Sequence, residues 1–357
     1  MYPNGAAISA EGVEEGEDSA ERVGWSFFWQ TPGSFSPYIV GYALLLLPAS
    51  LPALTSIQFR FLLALGALPA AVVFVAVYGL REAPRGESES VNSSVAISAP
   101  AAGPAASRGG LGALKEAIAQ HPEYLRTLSG TASTWCLYDV SYYGTVIFTP
   151  QILGQIFTSS ETLSDLFWQS LAVAGFGLLG ILAAIPAMRR FGGTWLSLWG
   201  FVMMGVAFAA FGVLFALSPS GLTGVKFGVF CLMSFSQSWG CNLSTYVLPT
   251  QLFPREVRAT FHGLSAASGK VGAVIGTFLF APVLASLGIV GVMWCQVAVC
   301  IAGVLCTHFL LPDASPSKLA AARSGATAAS FNGEVELDDA VDMGDESDES
   351  AKSLLRS

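Results

Sequence analysis

Two charged side chains, Asp139 and Lys270, stand within otherwise apolar stretches of this sequence. A charge at the depth of a bilayer core is costly, and such a residue usually faces a cavity or a partner. Trp135, Asp139 and Tyr143 are spaced by four residues, which places them on one stripe of a helix. The stripe offers an indole N–H, a carboxyl group and a phenol. These groups can hydrogen-bond a polar solute inside a dry cavity.

A cation and an amide complete this set. Lys270 lies in Ser268-Gly-Lys-Val-Gly272, where small residues let a ligand or another helix approach and the ammonium suits an anion or a buried carboxylate. Asn242, in the preceding span, can both donate and accept hydrogen bonds. An anion that also carries protons, such as dihydrogen phosphate, would suit the whole set. The residue types alone predict only a polar or anionic solute.

The same residues have a structural interpretation. Asp139 could make an interhelical hydrogen bond while Trp135 and Tyr143 pack, and Lys270 could serve only to pair with Asp139.

Other patterns predict no chemistry. The three histidines are scattered without metal-site spacing, so no metal or other cofactor and no enzyme activity are expected.

A glycine pattern in the fourth predicted span resembles a nucleotide-binding motif. Gly175, Gly177 and Gly180 form a GxGxxG string, but the string lacks the βαβ unit that dinucleotide binding requires. Small residues on a membrane helix more often permit close helix packing, which we expect here.

Apolar runs must position these side chains. Of the 357 residues, 53% are hydrophobic and 12% charged, whereas a soluble domain carries about 25% charged residues. Runs of about 20 apolar residues can cross a bilayer, and lipid requires that their backbone groups be satisfied internally, as in a helix. The predicted fold class is all-α, a polytopic membrane protein with about eight transmembrane helices. The predicted spans are 37–54, 59–80, 126–152, 166–188, 193–217, 223–248, 260–287 and 289–311.

The basic residues give these spans an orientation. If both termini are cytoplasmic, every Lys and Arg lies in a cytoplasmic segment except Arg60, Lys226 and Lys270. This distribution is the one that the positive-inside rule predicts.

The net charge of −8 arises largely in the tail, where Glu334 to Glu349 contains acids and no base, and it predicts no nucleic-acid partner. The predicted segments are an acidic N-terminal tail (1–35), two transmembrane helices (36–81), a cytoplasmic central loop (82–125), a six-helix half (126–311) and an acidic disordered tail (312–357).

One long stretch of sequence resembles a known family. Asn242 to Ala273 contains Phe253-Pro-Arg, Arg258-Ala-Thr and His262-Gly-Leu-Ser-Ala-Ala-Ser-Gly-Lys270. These strings resemble the proton-coupled phosphate transporters of plants and fungi, which belong to the major facilitator superfamily. Thr131 to Tyr143, Gly66-Ala-Leu-Pro-Ala-Ala71 and Arg81-Glu-Ala-Pro-Arg85 resemble that family's seventh helix, its sixth helix and the signature after the sixth.

The resemblance covers residues 59 to 311 and implies helices five to twelve of a twelve-helix fold. It implies an incomplete major facilitator fold, truncated at the N terminus, that requires the missing N-terminal half for a complete transport path. It also implies that Trp135, Asp139, Tyr143, Asn242 and Lys270 bind phosphate near mid-membrane. Asp139 would exchange protons and Lys270 would supply the counter-charge, with the proton gradient as the energy source.

The sequence departs from the family at the cytoplasmic gate. Arg189-Arg-Phe-Gly-Gly-Thr194 lacks the usual acid and the basic pair after glycine, and Pro249-Thr-Gln251 lacks the usual Glu. Family ligands on the fourth helix are expected to be absent.

The predicted function is proton-coupled symport of inorganic phosphate in the plasma membrane. Two alternatives are a major facilitator transporter of a sugar or organic anion, and a non-transporting phosphate receptor or inactive remnant.

Overall fold

The chain folds into a bundle of helices. A computed structural model describes residues 5–6, 9–10, 19–46, 54–81, 118–157, 162–218 and 220–321. Every regular element in these ranges is a helix, and the all-α fold class is confirmed. The helices are α1 (Ser19–Phe28), α2 (Gln30–Leu45), α3 (Leu54–Arg81), α4 (Glu123–Val146), α5 (Thr149–Ile156), α6 (Leu163–Phe191), α7 (Gly193–Leu217), α8 (Thr223–Trp239), α9 (Cys241–Leu252) and α10 (Arg255–Leu310).

A close helix contact joins α4 to the first arm of α10. A side chain at Gly272 would meet the backbone of Cys136, and one at Gly276 would meet the backbone of Val140. Glycines at this spacing let two backbones approach closely, which is how membrane helices gain packing energy. The contact sets α4 and α10 side by side along the stretch that carries the predicted site.

A single glycine divides α10 into two arms. Gly288 has φ 65° and ψ −176°, a conformation that favours glycine and interrupts the helix. The arms, residues 255–287 and 289–310, correspond to the last two predicted spans. The first arm carries Lys270, while the second packs against α7, where Gly303 faces the ring of Phe201.

Two other predicted spans are each built from two helices. The span 126–152 consists of α4 and α5, and the span 223–248 consists of α8 and α9, which meet at Gly240 (φ −108°, ψ −88°). Gly200 on α7 touches Gly240 there, so that two glycines form the crossing. The break lies two residues before Asn242 and sets the direction of that side chain.

Gly177 and Gly180 belong to a second close contact. A side chain at Gly180 would meet the Phe235 carbonyl of α8, and one at Gly177 would meet Ser234 and Ser238. The prediction that these glycines serve helix packing is confirmed.

The N-terminal prediction needs correction. Residues 19–35, which we expected in an acidic tail, belong to α1 and α2, so the helix expected at 37–54 begins at Gln30. Hydrophobic burial explains this, because Ala20, Val23, Gly24 and Phe27 form an apolar face on α1 that is buried in the bundle. The predicted residues 47–53 lie outside the described ranges, as do residues 82–117 of the central loop.

The predicted C-terminal tail also starts with ordered residues. Thr194 Oγ1 donates to the Pro312 carbonyl at 2.6 Å and accepts from the Ala314 N–H at 3.2 Å. Gly192, at φ 87°, makes room for Ala314. Residues 312–314 are therefore fixed to the start of α7, and residues 322–357 lie outside the described ranges. At the same membrane face, Arg189 forms an ion pair with Glu21 of α1 at 3.2 Å.

The protein is an integral, multi-pass membrane protein by its apolar helices and their surfaces. Within the described residues, Leu163–Phe191, Gly193–Leu217 and Val257–Leu310 are long and apolar enough to cross a bilayer. Apolar side chains such as Phe278, which is 74% exposed, cover their outer faces. An exposed apolar surface of this kind suits contact with lipid.

Candidate functional site

All five predicted site residues line one cavity of about 400 Å³. Trp135, Asp139 and Tyr143 come from α4, Asn242 from α9 and Lys270 from the first arm of α10. Three separate helices thus converge on one volume, as the spacing on α4 predicts for its three residues. Their role as ligands stays a prediction.

The centre of the cavity is the pair of Asp139 and Lys270. Asp139 Oδ2 lies 3.9 Å from Lys270 Nζ, and the Asp139 side chain is 5% exposed whereas that of Lys270 is 70% exposed. The distance exceeds that of a hydrogen bond. The ammonium of this pair is therefore open to a solute, while the carboxyl group is enclosed.

Lys270 is held beside an aromatic ring. Its Nζ donates a hydrogen bond to the Tyr143 hydroxyl at 3.4 Å and lies 5.3 Å from the centre of the Tyr143 ring. A cation attracts both the phenol oxygen and the negative face of the ring. Tyr143 therefore directs the ammonium toward the cavity while leaving its remaining donors free for an anion.

Trp135 is held from behind by His262. The two rings are nearly perpendicular, at 5.5 Å between centres, and His262 is completely buried. His262 Nε2 lies 3.0 Å from the Tyr246 carbonyl oxygen. Because a carbonyl only accepts, Nε2 must carry the proton and donate it. This bond links the first arm of α10 to α9 and fixes the ring against which the Trp135 indole rests.

Asn242 reaches the cavity because the polypeptide breaks at Gly240. Asn242 lies in the first turn of α9, where it is half-buried, and Thr245, one turn further, also lines the cavity. An unbroken helix through residues 223–248 would give this amide a different direction.

Several lining residues escaped the sequence-based prediction. Phe27 and Gln30, from the segment predicted as a tail, line the cavity, as do Tyr138 and Tyr142 of α4. Phe27 packs on Tyr246 at 4.7 Å between ring centres. The one available signal is that Gln30 ends an aromatic run from Trp25 to Trp29, an unusual place for an amide. The lining therefore includes a polar side chain from outside the six-helix half.

The cavity combines a cation, a carboxyl group, phenols, amides and an indole in a small volume. These groups can bind a small oxyanion and exchange a proton with it at Asp139. Within the described residues, no group of three His, Cys, Asp or Glu side chains could hold a metal ion.

Comparison with known proteins shows the family to which the chain belongs. Residues 21–322 match the family model described as "Sugar (and other) transporter". Inorganic phosphate transporter PT2 of Toxoplasma gondii is 32% identical over 324 residues, which are 89% of this chain and 52% of that protein. Inorganic phosphate transporter 1-2 of rice (Oryza sativa subsp. japonica) is 34% identical over 167 residues, which are 43% of this chain and 31% of that protein. The chain thus spans about half the length, or less, of these relatives.

A solved structure shares the fold. The proton:xylose symporter XylE, of the major facilitator superfamily, has a TM-score of 0.64 at 14% identity, covering 89% of this chain and 69% of that one. The likeness confirms a major facilitator arrangement of the helices and carries no information on the solute.

Proposed function

The chain belongs to the sugar (and other) transporter family of the major facilitator superfamily, and from that premise we propose that it binds inorganic phosphate for proton-coupled symport. The observation that carries the proposal is the open pair of Asp139 and Lys270 in a cavity of about 400 Å³. Similarity to named phosphate transporters over 89% of the chain supports it.

The two charges have separate roles in this proposal. Lys270 supplies the positive charge and N–H donors for the anion, and Tyr143, Trp135 and Asn242 supply further hydrogen bonds. Protonated Asp139 donates a hydrogen bond to the incoming anion without repelling it. Deprotonation of Asp139 toward the cytoplasm brings a negative charge next to the phosphate and favours its release. The site then lies between two parts of a transporter that rock around it.

Location is part of the same proposal. We assign both termini to the cytoplasm, because nearly all basic residues then lie on the cytoplasmic side. We assign the protein to the plasma membrane from its resemblance to the proton-coupled phosphate transporters alone. The ordered contacts of Arg189 with Glu21 and of Thr194 with Pro312 lie at that face.

Uptake of radioactive phosphate into phosphate-uptake-deficient cells tests the proposal, with a full-length relative as the positive control. We expect uptake that an inward proton gradient drives and that arsenate, but not a hexose, inhibits. Inhibition by hexose would favour the sugar-transporter alternative. Binding of phosphate without flux would favour a receptor.

A further inference from the structure

The hydroxyl of Tyr138 has no role in the site described so far. Tyr138 precedes Asp139 on α4 and lines the same cavity. The residue is 2% exposed, and its hydroxyl oxygen is buried without a hydrogen-bond partner in the described part of the chain. Buried polar groups in folded proteins nearly always have a partner. An unpaired phenol in a cavity wall therefore points to a partner that enters the cavity.

The surroundings of Tyr138 fix its ring and keep its hydroxyl near the site. The ring packs on Tyr142 at 5.5 Å between centres and belongs to the apolar cluster that includes Phe201. Asp139, Tyr142 and Tyr143, which follow Tyr138 on α4, line the same cavity. Since packing has already immobilised this side chain, little conformational entropy is lost when its hydroxyl binds a solute.

The chemistry of the neighbouring groups indicates what the hydroxyl would bind. Lys270 is an exposed cation of the cavity lining, whereas Tyr138 is a buried residue of the same lining that carries a neutral hydroxyl group. A tetrahedral oxyanion presents several acceptor oxygens in different directions and can be held from both sides. A phenol can also accept a hydrogen bond from a P–OH group.

We propose that Tyr138 is a further ligand of the transported oxyanion and donates a hydrogen bond to an oxygen that Lys270 does not reach. This inference rests on the proposed function, because it needs phosphate in the cavity. Tyr138→Phe removes the hydroxyl and keeps the ring. This variant should therefore bind phosphate more weakly without losing stability in the absence of phosphate.

The test measures thermal unfolding of the purified full chain with and without inorganic phosphate. Without phosphate, Tyr138→Phe should have the same melting temperature as the wild type or a higher one, because the lost hydroxyl has no hydrogen-bond partner in the described ranges. Its phosphate affinity should be weaker by roughly tenfold or more, the effect of a lost hydrogen bond to a charged group. Tyr124→Phe is the matched control, since Tyr124 lies on the same helix but packs on Phe253 and Phe261 outside the cavity lining.

Three results would overturn the inference. If the wild type binds phosphate and Tyr138→Phe binds it equally well, Tyr138 is no ligand while the proposed function stands. If Tyr138→Phe lowers the melting temperature without phosphate, the hydroxyl has a structural partner. If the wild type itself shows no phosphate-dependent stabilisation, the proposed function fails together with this inference, and that wild-type result tells the two failures apart.

Discussion

The contact between α4 and α10 makes a strong prediction for Gly272→Ala. A methyl group at this position would overlap the backbone of Cys136, which cannot turn away as a side chain can. Overpacking of this kind costs about 1–3 kcal/mol of the free energy of unfolding. An alanine also stabilises a helix relative to glycine by roughly 0.5–1 kcal/mol, so the net loss should lie between about 0 and 2.5 kcal/mol.

Gly228→Ala supplies a matched control that separates these two terms. Gly228 lies inside α8, and no atom of the described residues approaches within 4 Å of the position where its side chain would be. The control therefore gains the stabilisation that alanine gives a helix relative to glycine, and its new methyl group overlaps no described atom. The difference between the two variants isolates the packing cost of about 1–3 kcal/mol.

Gly272→Ala should also weaken the site, because it lies two residues after Lys270. Moving α10 away from α4 lengthens the distance of 3.9 Å between Asp139 Oδ2 and Lys270 Nζ. Thermal unfolding in detergent, repeated across a phosphate titration, measures both effects. Equal melting temperatures for Gly272→Ala and Gly228→Ala would refute the close contact on which the site geometry depends.

Three further substitutions test other parts of the account. Asp139→Asn keeps the shape and hydrogen bonding of the side chain but removes its ability to exchange a proton. Phosphate binding should therefore persist, while proton-driven uptake in a pH-gradient assay is lost. Normal uptake would show that Asp139 does not couple protons to transport. Gln237 Nε2 donates to Thr145 Oγ1 at 2.7 Å in a buried contact between α8 and α4, and Thr145→Val should lower the free energy of unfolding by about 1–3 kcal/mol by leaving that amide unpaired. An unchanged melting temperature would show that Gln237 finds another partner. Thr194→Val should release residues 312–314 and cost about 1 kcal/mol, seen as faster proteolysis after residue 311 than in the wild type; equal cleavage rates would contradict this.

Much of the fold and of the site could be predicted from the apolar runs and from the spacing of four residues on α4. Long stretches without charge have few alternatives to a helix in lipid. Helical periodicity alone places Trp135, Asp139 and Tyr143 on one face, and the structure finds all three in one cavity. The border between the last two spans follows from Gly288, which interrupts α10 where the two apolar stretches meet.

Other features depend on contacts that one-dimensional patterns do not contain. The apolar run around Gly240 continues without a charge, so the break there appears only when Gly200 is packed against it. The acidic composition near the N terminus hides the apolar face of α1, and with it the contributions of Phe27 and Gln30. Tyr138 looks like an ordinary helix residue until the structure shows that its hydroxyl has no hydrogen-bond partner among the described residues.

Phosphate binding to the purified protein tests the central claim most directly. Isothermal titration of the wild type should give saturable binding, and Lys270→Gln should weaken it by roughly 10- to 100-fold because a charged hydrogen bond is lost. Lys318→Gln, which removes an exposed lysine paired with Asp313 at 2.8 Å, should leave the affinity unchanged. Equal phosphate affinity in the wild type and Lys270→Gln would contradict the claim that Asp139 and Lys270 form the centre of a phosphate site.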